Sequence, residues 1–331
     1  MSKTLVTGAA GFIGRRLAAR LLKNGADVRC FLGRFSAVPQ CLSGAEIVRG
    51  DLLDRNSLKA AMEGVSAVYH CAALVRPAGF AVSRAGLEKR FFAVNMDGTL
   101  NATEAACAAG AGLFVHLSSI SAQGPGLSLR ETDPCRPLTL YGRSKLASEA
   151  AAENGVPETG ACRLVIARPA MIYGKDSPSW SKFFSAVKGG LVPLPGRGRN
   201  TLSVCWIESL VDALLLLAER GGNREIYTVS EGPRSWVDMA MLSAAALGVK
   251  PRLLKVPHRP LALLSFLAGS ALRPAGLALP ALNYLTEPGS FKEAVANWGH
   301  DTTKLNALGW APRLTTAEAL AAELGRQANG V

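Results

Sequence analysis

The chain has 331 residues, 49% of them hydrophobic and 19% charged, enough apolar material for a full core, which excludes a disordered or fibrous protein. At about 150 residues per domain the length suits two structural units. Lys and Arg (37) exceed Asp and Glu (25) by 12, but the excess is spread along the chain, so no nucleic-acid stripe is read and a solvated basic surface or a phosphate-bearing ligand remains.

The N-terminus shows no charged n-region or apolar h-region before the first strand, so no signal peptide is expected and the protein is read as cytoplasmic. The seven Cys, at 30, 41, 71, 107, 135, 162 and 205, form no C-x-x-C pair and no cluster with the four His. A disulfide framework and a metal site are therefore not expected, and the compartment is read as reducing.

Lys3 to Thr7 is a short β-prone run, followed by TGAAGFIG with Gly8, Gly11 and Gly14. Leu17, Leu21 and Leu22 then recur at helical spacing over Arg15 to Asn24, Asn24-Gly25 reads as a stop, and Val28 to Leu32 is a second strand. Strand, glycine turn, helix, strand is the βαβ unit that binds dinucleotides. Gly8 permits a turn with unusual backbone angles, Gly11 allows a pyrophosphate to approach the backbone, and Gly14 lets the helix lie close on the strand. With Phe12 and Ile13 they form a phosphate-binding helix start. An acid at the end of the second strand would hold the adenosine ribose of NAD. That region reads Phe31-Leu32-Gly33-Arg34, so Arg34 is assigned to a 2′-phosphate and NADP is favoured over NAD.

Further motifs follow in order: GDLLD (Gly50 to Asp54), HCAAL (His70 to Leu74), FFAVNMDGT (Phe91 to Thr99), HLSSISAQG (His116 to Gly124), YGRSK (Tyr141 to Lys145), ARPAMIYG (Ala167 to Gly174) and WIESLVDA (Trp206 to Ala213). With the G-x-x-G-x-x-G turn, this series resembles the extended branch of the short-chain dehydrogenase/reductase superfamily, the NAD-dependent epimerase/dehydratase family. The flavour is that of its 3β-hydroxysteroid dehydrogenase-like subgroup. The resemblance implies a Rossmann-type, doubly wound parallel α/β sheet with a smaller, mostly helical C-terminal substrate lobe. It places Asp51 and Leu52 by the adenine, Ala72 and Ala73 along the cofactor, Pro169 at the nicotinamide, and Asn95 as a structural residue beside it. Ser119, Tyr141 and Lys145 are implied as catalytic, and Tyr141 and Lys145 also as cofactor-binding, Lys145 through the nicotinamide ribose.

At i and i+4, Tyr141 and Lys145 project from one helix face. A free Tyr has a pKa of about 10, and a neighbouring ammonium is expected to lower it, so that Tyr141 exchanges a proton with a hydroxyl or carbonyl. Ser119 would donate to the developing alkoxide. Ser118 and Ser121 are expected to bond the backbone at the strand end. Sugar-nucleotide members of the resembled branch commonly carry Tyr-Gly where this chain has Gln123-Gly124.

Residues 1–174 are read as the NAD(P)-binding domain, its sheet completed by parts of 200–230, and 175–331 as the substrate lobe. Val192 to Arg199 reads as a Pro/Gly-rich loop, Leu210 to Glu219 and Trp236 to Leu247 as helices, and Glu225 to Val229 as a strand. Lys304 to Leu308 and Gly309-Trp310 to Glu323 resemble the family's ending. The greasiest stretch, 260–285, is split by Arg273 and broken by Pro274 and Pro280. A spanning helix needs about 20 apolar residues, so no membrane span is expected. A peripheral membrane contact and a homodimer stay open.

An apolar 253–285 favours a bulky steroid-, lipid- or aromatic-like alcohol or ketone as the small-molecule substrate. Hydride transfer between it and NAD(P) is the leading reading. A sugar-nucleotide epimerase or dehydratase, with Arg197 and Arg199 on the pyrophosphate, is the alternative. A non-catalytic NAD(P) sensor is a third, opposed by the Tyr–Lys pair.

Overall fold

The computed structural model describes residues 3–75, 84–157, 160–257 and 290–325. Five strands come first: β1 (Lys3–Thr7), β2 (Asp27–Gly33), β3 (Glu46–Gly50), β4 (Val65–His70) and β5 (Leu113–Leu117). They are followed by β6 (Gly126–Leu129), β7 (Arg163–Pro169), β8 (Met171–Tyr173), β9 (Leu191–Pro195), β10 (Thr201–Trp206) and β11 (Glu225–Val229). Seven of these form one sheet in the order β3-β2-β1-β4-β5-β7-β11, every neighbouring pair parallel. The winding reverses between β1 and β4, and ligands of such sheets bind at the carboxyl ends of strands at that switch.

The described α-helices are α1 (Phe12–Lys23), α2 (Arg55–Met62), α3 (Arg84–Phe92), α4 (Gly98–Ala108), α5 (Ile120–Gln123), α6 (Leu140–Gly155), α7 (Ser181–Lys188), α8 (Ile207–Arg220), α9 (Trp236–Leu247), α10 (Ser290–Val295), α11 (Thr303–Asn306) and α12 (Thr316–Leu324). Side chains alternate across a strand, and the core follows that alternation. Val6, Val115, Val165 and Ala167 join the cluster containing Leu17 and Leu21 of α1 and Leu210 and Leu214 of α8. Leu5, Phe114, Leu164 and Ile166 join the cluster with Leu58 of α2, Ala102 of α4 and Ala152 of α6. Burial on both faces is why these strands read as continuous apolar runs.

α1 begins at Phe12, three residues before the sequence reading, because Gly11 caps it in an extended conformation. Gly8 has φ +66°, and a Cβ there would lie 2.7 Å from the Ala72 Cα. A Cβ on Gly14 would lie 2.4 Å from the Gly8 oxygen. The turn is packed too tightly for side chains at either position.

In the second half, β9 pairs in parallel with β13 (Arg252–Val256), and β12 (Pro233–Ser235) pairs with β10, which also pairs with β8. The short strand β14 (Trp298–His300) pairs with β6. The Pro/Gly-rich stretch from Val192 is therefore not all loop. Val192 and Leu194 are buried while Leu191 and Pro193 face outward, a period of two that outweighs two prolines placed where β9 needs no donor. The apolar run opens as strand β13, and 258–289 lies outside the described residues. Among the described residues no helix is long and apolar enough to cross a membrane.

Gly14→Ala is expected to cost ~1–3 kcal/mol, the range for forcing an extra methyl into a packed site. Urea unfolding checks it, and an unchanged midpoint would contradict the packing argument.

Candidate active site

The residues assigned to a dinucleotide gather along the carboxyl edge of the sheet. Gly8 to Gly14 follow β1, Arg34 follows β2, and Asp51 and Leu52 follow β3. Ala72 and Ala73 follow β4, Ser119 follows β5, and Pro169 ends β7. The start of α1 has no side-chain cap and no acidic residue in its first turn, so its donors and dipole suit an anion. The close-packed glycine turn with an uncapped helix start fits a pyrophosphate. Phe12 packs toward Gly174, where a Cβ would lie 3.2 Å from the ring, and Arg15 covers its face at 5.9 Å.

The remaining members are placed less uniformly. Asp51 is exposed and its Oδ1 accepts from the Leu53 N–H at 3.0 Å. Leu52 is buried, and its carbonyl accepts from Asn101. Arg34 is 59% exposed and ion-paired at 3.1 Å with Asp54, which also caps α2.

Three consecutive residues at the end of β5 engage three successive turns of α6. Lys145 Nζ donates to the Leu117 carbonyl at 2.7 Å. The Ser118 hydroxyl donates to Glu149. Ser119 lies beside the Tyr141 phenol and favours its ionised form. α6 comes this close because Gly142 carries no side chain: a Cβ there would lie 2.4 Å from the Ser121 oxygen.

The electrostatics correct one expectation. Burial pushes the Tyr141 phenol up to about 12, Ser119 opposing and Glu293 assisting the rise. The Lys145 amine is itself buried and drawn down to about 8, with Glu149 pulling it back up. Desolvation outweighs a stabilising ammonium here, so the Tyr141 phenol is protonated at neutral pH. Ser118 also departs from the reading, since its hydroxyl goes to a carboxylate and not to the backbone. That carboxylate is gripped by Arg168 at 2.9 and 2.7 Å, and both charged residues are almost wholly buried.

Beneath this face runs a buried polar chain. Asn95 sits in a π-helical turn, Ala93–Asp97, a distortion common at functional sites. Its amide oxygen accepts from the Leu74 N–H at 2.7 Å, and its Nδ2 donates to the Leu74 carbonyl and to Ser144. Ser144 in turn donates to the Tyr141 carbonyl. Thr99 donates to the Asn95 carbonyl, so its oxygen accepts from His70 Nε2, and Thr7 meets His70 Nδ1 at 2.9 Å. His116 stacks on His70 at 5.6 Å and meets Ser148, which donates to the Lys145 carbonyl. Burial drives His70 down to about 3, His300 to about 4 and His116 well below its usual value, so all three are neutral.

Glu149, Arg168, Ser144 and the two stacked histidines were not singled out from the sequence, and Ser118 was assigned to the backbone. Glu149 carried a usable signal, because it extends the Tyr141/Lys145 spacing by one more turn of the same helix. Arg168 carried none, since a lone Arg in a strand reads as a surface residue. Gln123, in place of the Tyr of sugar-nucleotide enzymes, is buried and donates to the Arg130 carbonyl. Among the described residues no His, Cys, Asp and Glu group is suited to a metal.

A family model described as the NAD dependent epimerase/dehydratase family matches residues 4–230. The 3 beta-hydroxysteroid dehydrogenase/Delta 5-->4-isomerase of Mycobacterium tuberculosis is 33% identical over 227 residues, 66% of this chain and 60% of that protein. The chain thus spans under two thirds of that relative. The 4-hydroxy-2-methyl-3-oxo-4-farnesyl-3,4-dihydroquinoline-1-oxide ketoreductase of Stigmatella aurantiaca is 28% identical over 267 residues, 78% of this chain and 77% of that protein. The UDP-glucose 4-epimerase of Thermotoga maritima, solved with UDP-glucose, superposes with a TM-score of 0.78 at 21% identity, covering 99% of this chain and 100% of its own. At that identity the likeness is one of fold.

Neutral buried imidazoles make stability depend on acid. A group with a depressed folded pKa contributes fully above its unfolded value, about 6.5, and loses that contribution as pH falls toward the folded one. His70, His116 and His300 act together, each by up to about 1.4 kcal/mol per pH unit, while Glu231, whose carboxyl burial raises, acts in the opposite sense. Urea midpoints are expected to drop steeply between pH 7 and pH 5. A flat profile there would contradict the buried-histidine assignment.

Proposed function

The chain belongs to the NAD-dependent epimerase/dehydratase family, and we propose that it is an NAD(P)-dependent oxidoreductase acting on a secondary alcohol or ketone of a bulky apolar molecule. The observation that carries the reading is the juxtaposition of Ser119, Tyr141 and Lys145 where the end of β5 meets α6, at the sheet edge that also bears the glycine turn. The nicotinamide supplies or takes the hydride when the cofactor is bound.

The chain's own residues handle the proton. In reduction, the carbonyl oxygen gains negative charge as its carbon accepts hydride. Tyr141, protonated at neutral pH, gives its phenolic proton to that oxygen, and the Ser119 hydroxyl donates a hydrogen bond to it. The proton lost from Tyr141 is regained from solvent. Lys145, held by the Leu117 carbonyl and within the field of Glu149, limits the cost of the transient phenolate. Because burial holds Tyr141 as a donor, the reading favours ketone reduction at neutral pH and alcohol oxidation at alkaline pH.

Substrate class is supported by relatives named for a steroid and for a farnesylated quinoline. A sugar-nucleotide epimerase is the second reading, favoured by the fold likeness to an enzyme solved with UDP-glucose. Net absorbance change at 340 nm separates them, since an epimerase returns its hydride. For the cofactor, the absence of an acid after β2 and the exposed Arg34 support NADP, with Asp54 as the guanidinium's competing partner.

Tyr141→Phe is expected to lower kcat about 10²–10⁴-fold, the usual contribution of a general acid, with nucleotide affinity nearly unchanged. Full retention of turnover would remove Tyr141 from the mechanism. A comparison of KM values is expected to favour NADP, and Arg34→Ala to erase that preference. A strong preference for NAD in the unmodified protein would refute the role given to Arg34.

A further inference from the structure

The net charge of +12 is not evenly placed. Residues 177–207 contain Lys182, Lys188, Arg197 and Arg199 and no acid, and residues 239–257 contain Lys250, Arg252 and Lys255 and no acid. These two segments build one small unit. α7, β9, α9 and β13 share a buried cluster of Val187, Val192, Leu194, Ala240 and Ala244. All seven cations are exposed. None pairs with a carboxylate among the described residues, whereas twelve other Lys and Arg do. What sets the unit apart is that seven exposed cations stand together on segments that hold no acid to answer them.

Apolar side chains stand among them. Among the described residues β13 pairs on one side, to β9, with Arg252 opposite Leu191 and Leu254 opposite Pro193. Val192 and Leu194 point into the buried cluster, so Leu191 and Pro193 lie on the outer face, where Leu191 is 49% exposed. Leu254 and, on α9, Met241 are exposed as well. The aromatic rings of the unit pack on one another, Trp180 and Phe184 buried and Phe183 and Trp236 half-buried, so none stands free as a platform for stacking bases. Unpaired cations interleaved with exposed aliphatic side chains are what an anionic bilayer recognises: headgroup charge outside, acyl boundary beneath.

We propose that the outer face of the β9/β13 pair, with the flanking cations of α7 and of the turns at 196–199 and 248–251, is a docking surface for an anionic lipid bilayer. The surface is argued from charge and exposure alone and stands apart from the catalytic reading. Its consequence rests on that reading, because an enzyme for a bulky apolar alcohol or ketone meets its substrate in the membrane and not in water.

The test uses the full chain without substrate. Sedimentation with phosphatidylcholine vesicles, with and without phosphatidylglycerol, is measured at low and high salt. Binding is expected only with phosphatidylglycerol and is expected to fall with salt. Each cation near such a surface contributes about fivefold, so Arg199→Gln, Lys250→Gln and Arg252→Gln together should weaken partitioning on the order of 100-fold. Lys182→Gln with Lys188→Gln, on α7, provides an independent pair should the triple variant fold poorly. Leu254→Ser should weaken binding at every salt concentration. No binding to phosphatidylglycerol vesicles, equal binding by the neutralised variants, or tighter binding to a short DNA duplex than to vesicles would overturn the proposal. Tyr141→Phe is expected to lose turnover and keep its vesicle binding, so failure of the catalytic chemistry and failure of the docking surface show in different measurements.

Discussion

The bond from Lys145 Nζ to the Leu117 carbonyl is the contact on which the rest of the site depends. It is the middle member of a clamp in which Leu117, Ser118 and Ser119 each meet a different turn of α6. One parallel strand and one helix are thereby fixed in register, and Ser119 and Tyr141 are brought together without lying near each other in sequence. The clamp needs close approach, which Gly142 permits, and a second anchor, which the Glu149–Arg168 pair supplies from β7. Removing one partner of such a buried pair strands a charge and is costly, on the order of 3–5 kcal/mol, although the intact pair adds little net stability. Its service here is positional: β5, α6 and β7 carry Ser119, Tyr141 and Pro169, and the pair ties all three.

Burial then decides the chemistry. A Lys one turn from a Tyr suggests a depressed phenol, yet the amine is buried and the phenol half-buried. The amine falls to about 8 and the phenol rises to about 12, each toward its neutral form. The stacked pair His70 and His116 beneath them follows the same rule. This floor of neutral, hydrogen-bonded groups lets α4, α6 and the segment after β4 be cross-linked by polar side chains without buried charge. Asn95 is its hub, reaching Leu74 and Ser144 from a turn that the π-helical distortion swings inward.

Much of the architecture was legible in the sequence. The glycine turn announces itself because two of its positions, Gly8 and Gly14, forbid side chains, and the structure shows what each would strike. Strands buried on both faces read as apolar runs, and the motifs fall in the order the sheet requires. What stayed hidden depended on contacts between distant elements. Ser118 and Ser119 differ only in which neighbour of α6 they face, and Arg168 looks like any strand Arg until Glu149 is placed opposite it. The strand from Leu191 was masked by Pro193 and Pro195, which are tolerated because β9 is short and packed on one side. The pKa of Tyr141 required knowing its burial, which spacing along a helix does not report.

The most direct measurement is a crystal structure of the ternary complex with a nicotinamide dinucleotide and a bound ketone or alcohol. The account expects Tyr141 Oη and Ser119 Oγ both within about 3 Å of the substrate oxygen, the pyrophosphate against the start of α1, and the nicotinamide between them and Pro169. A complex in which the phenol faces away from the ring, or in which the dinucleotide lies elsewhere than the glycine turn, would contradict it.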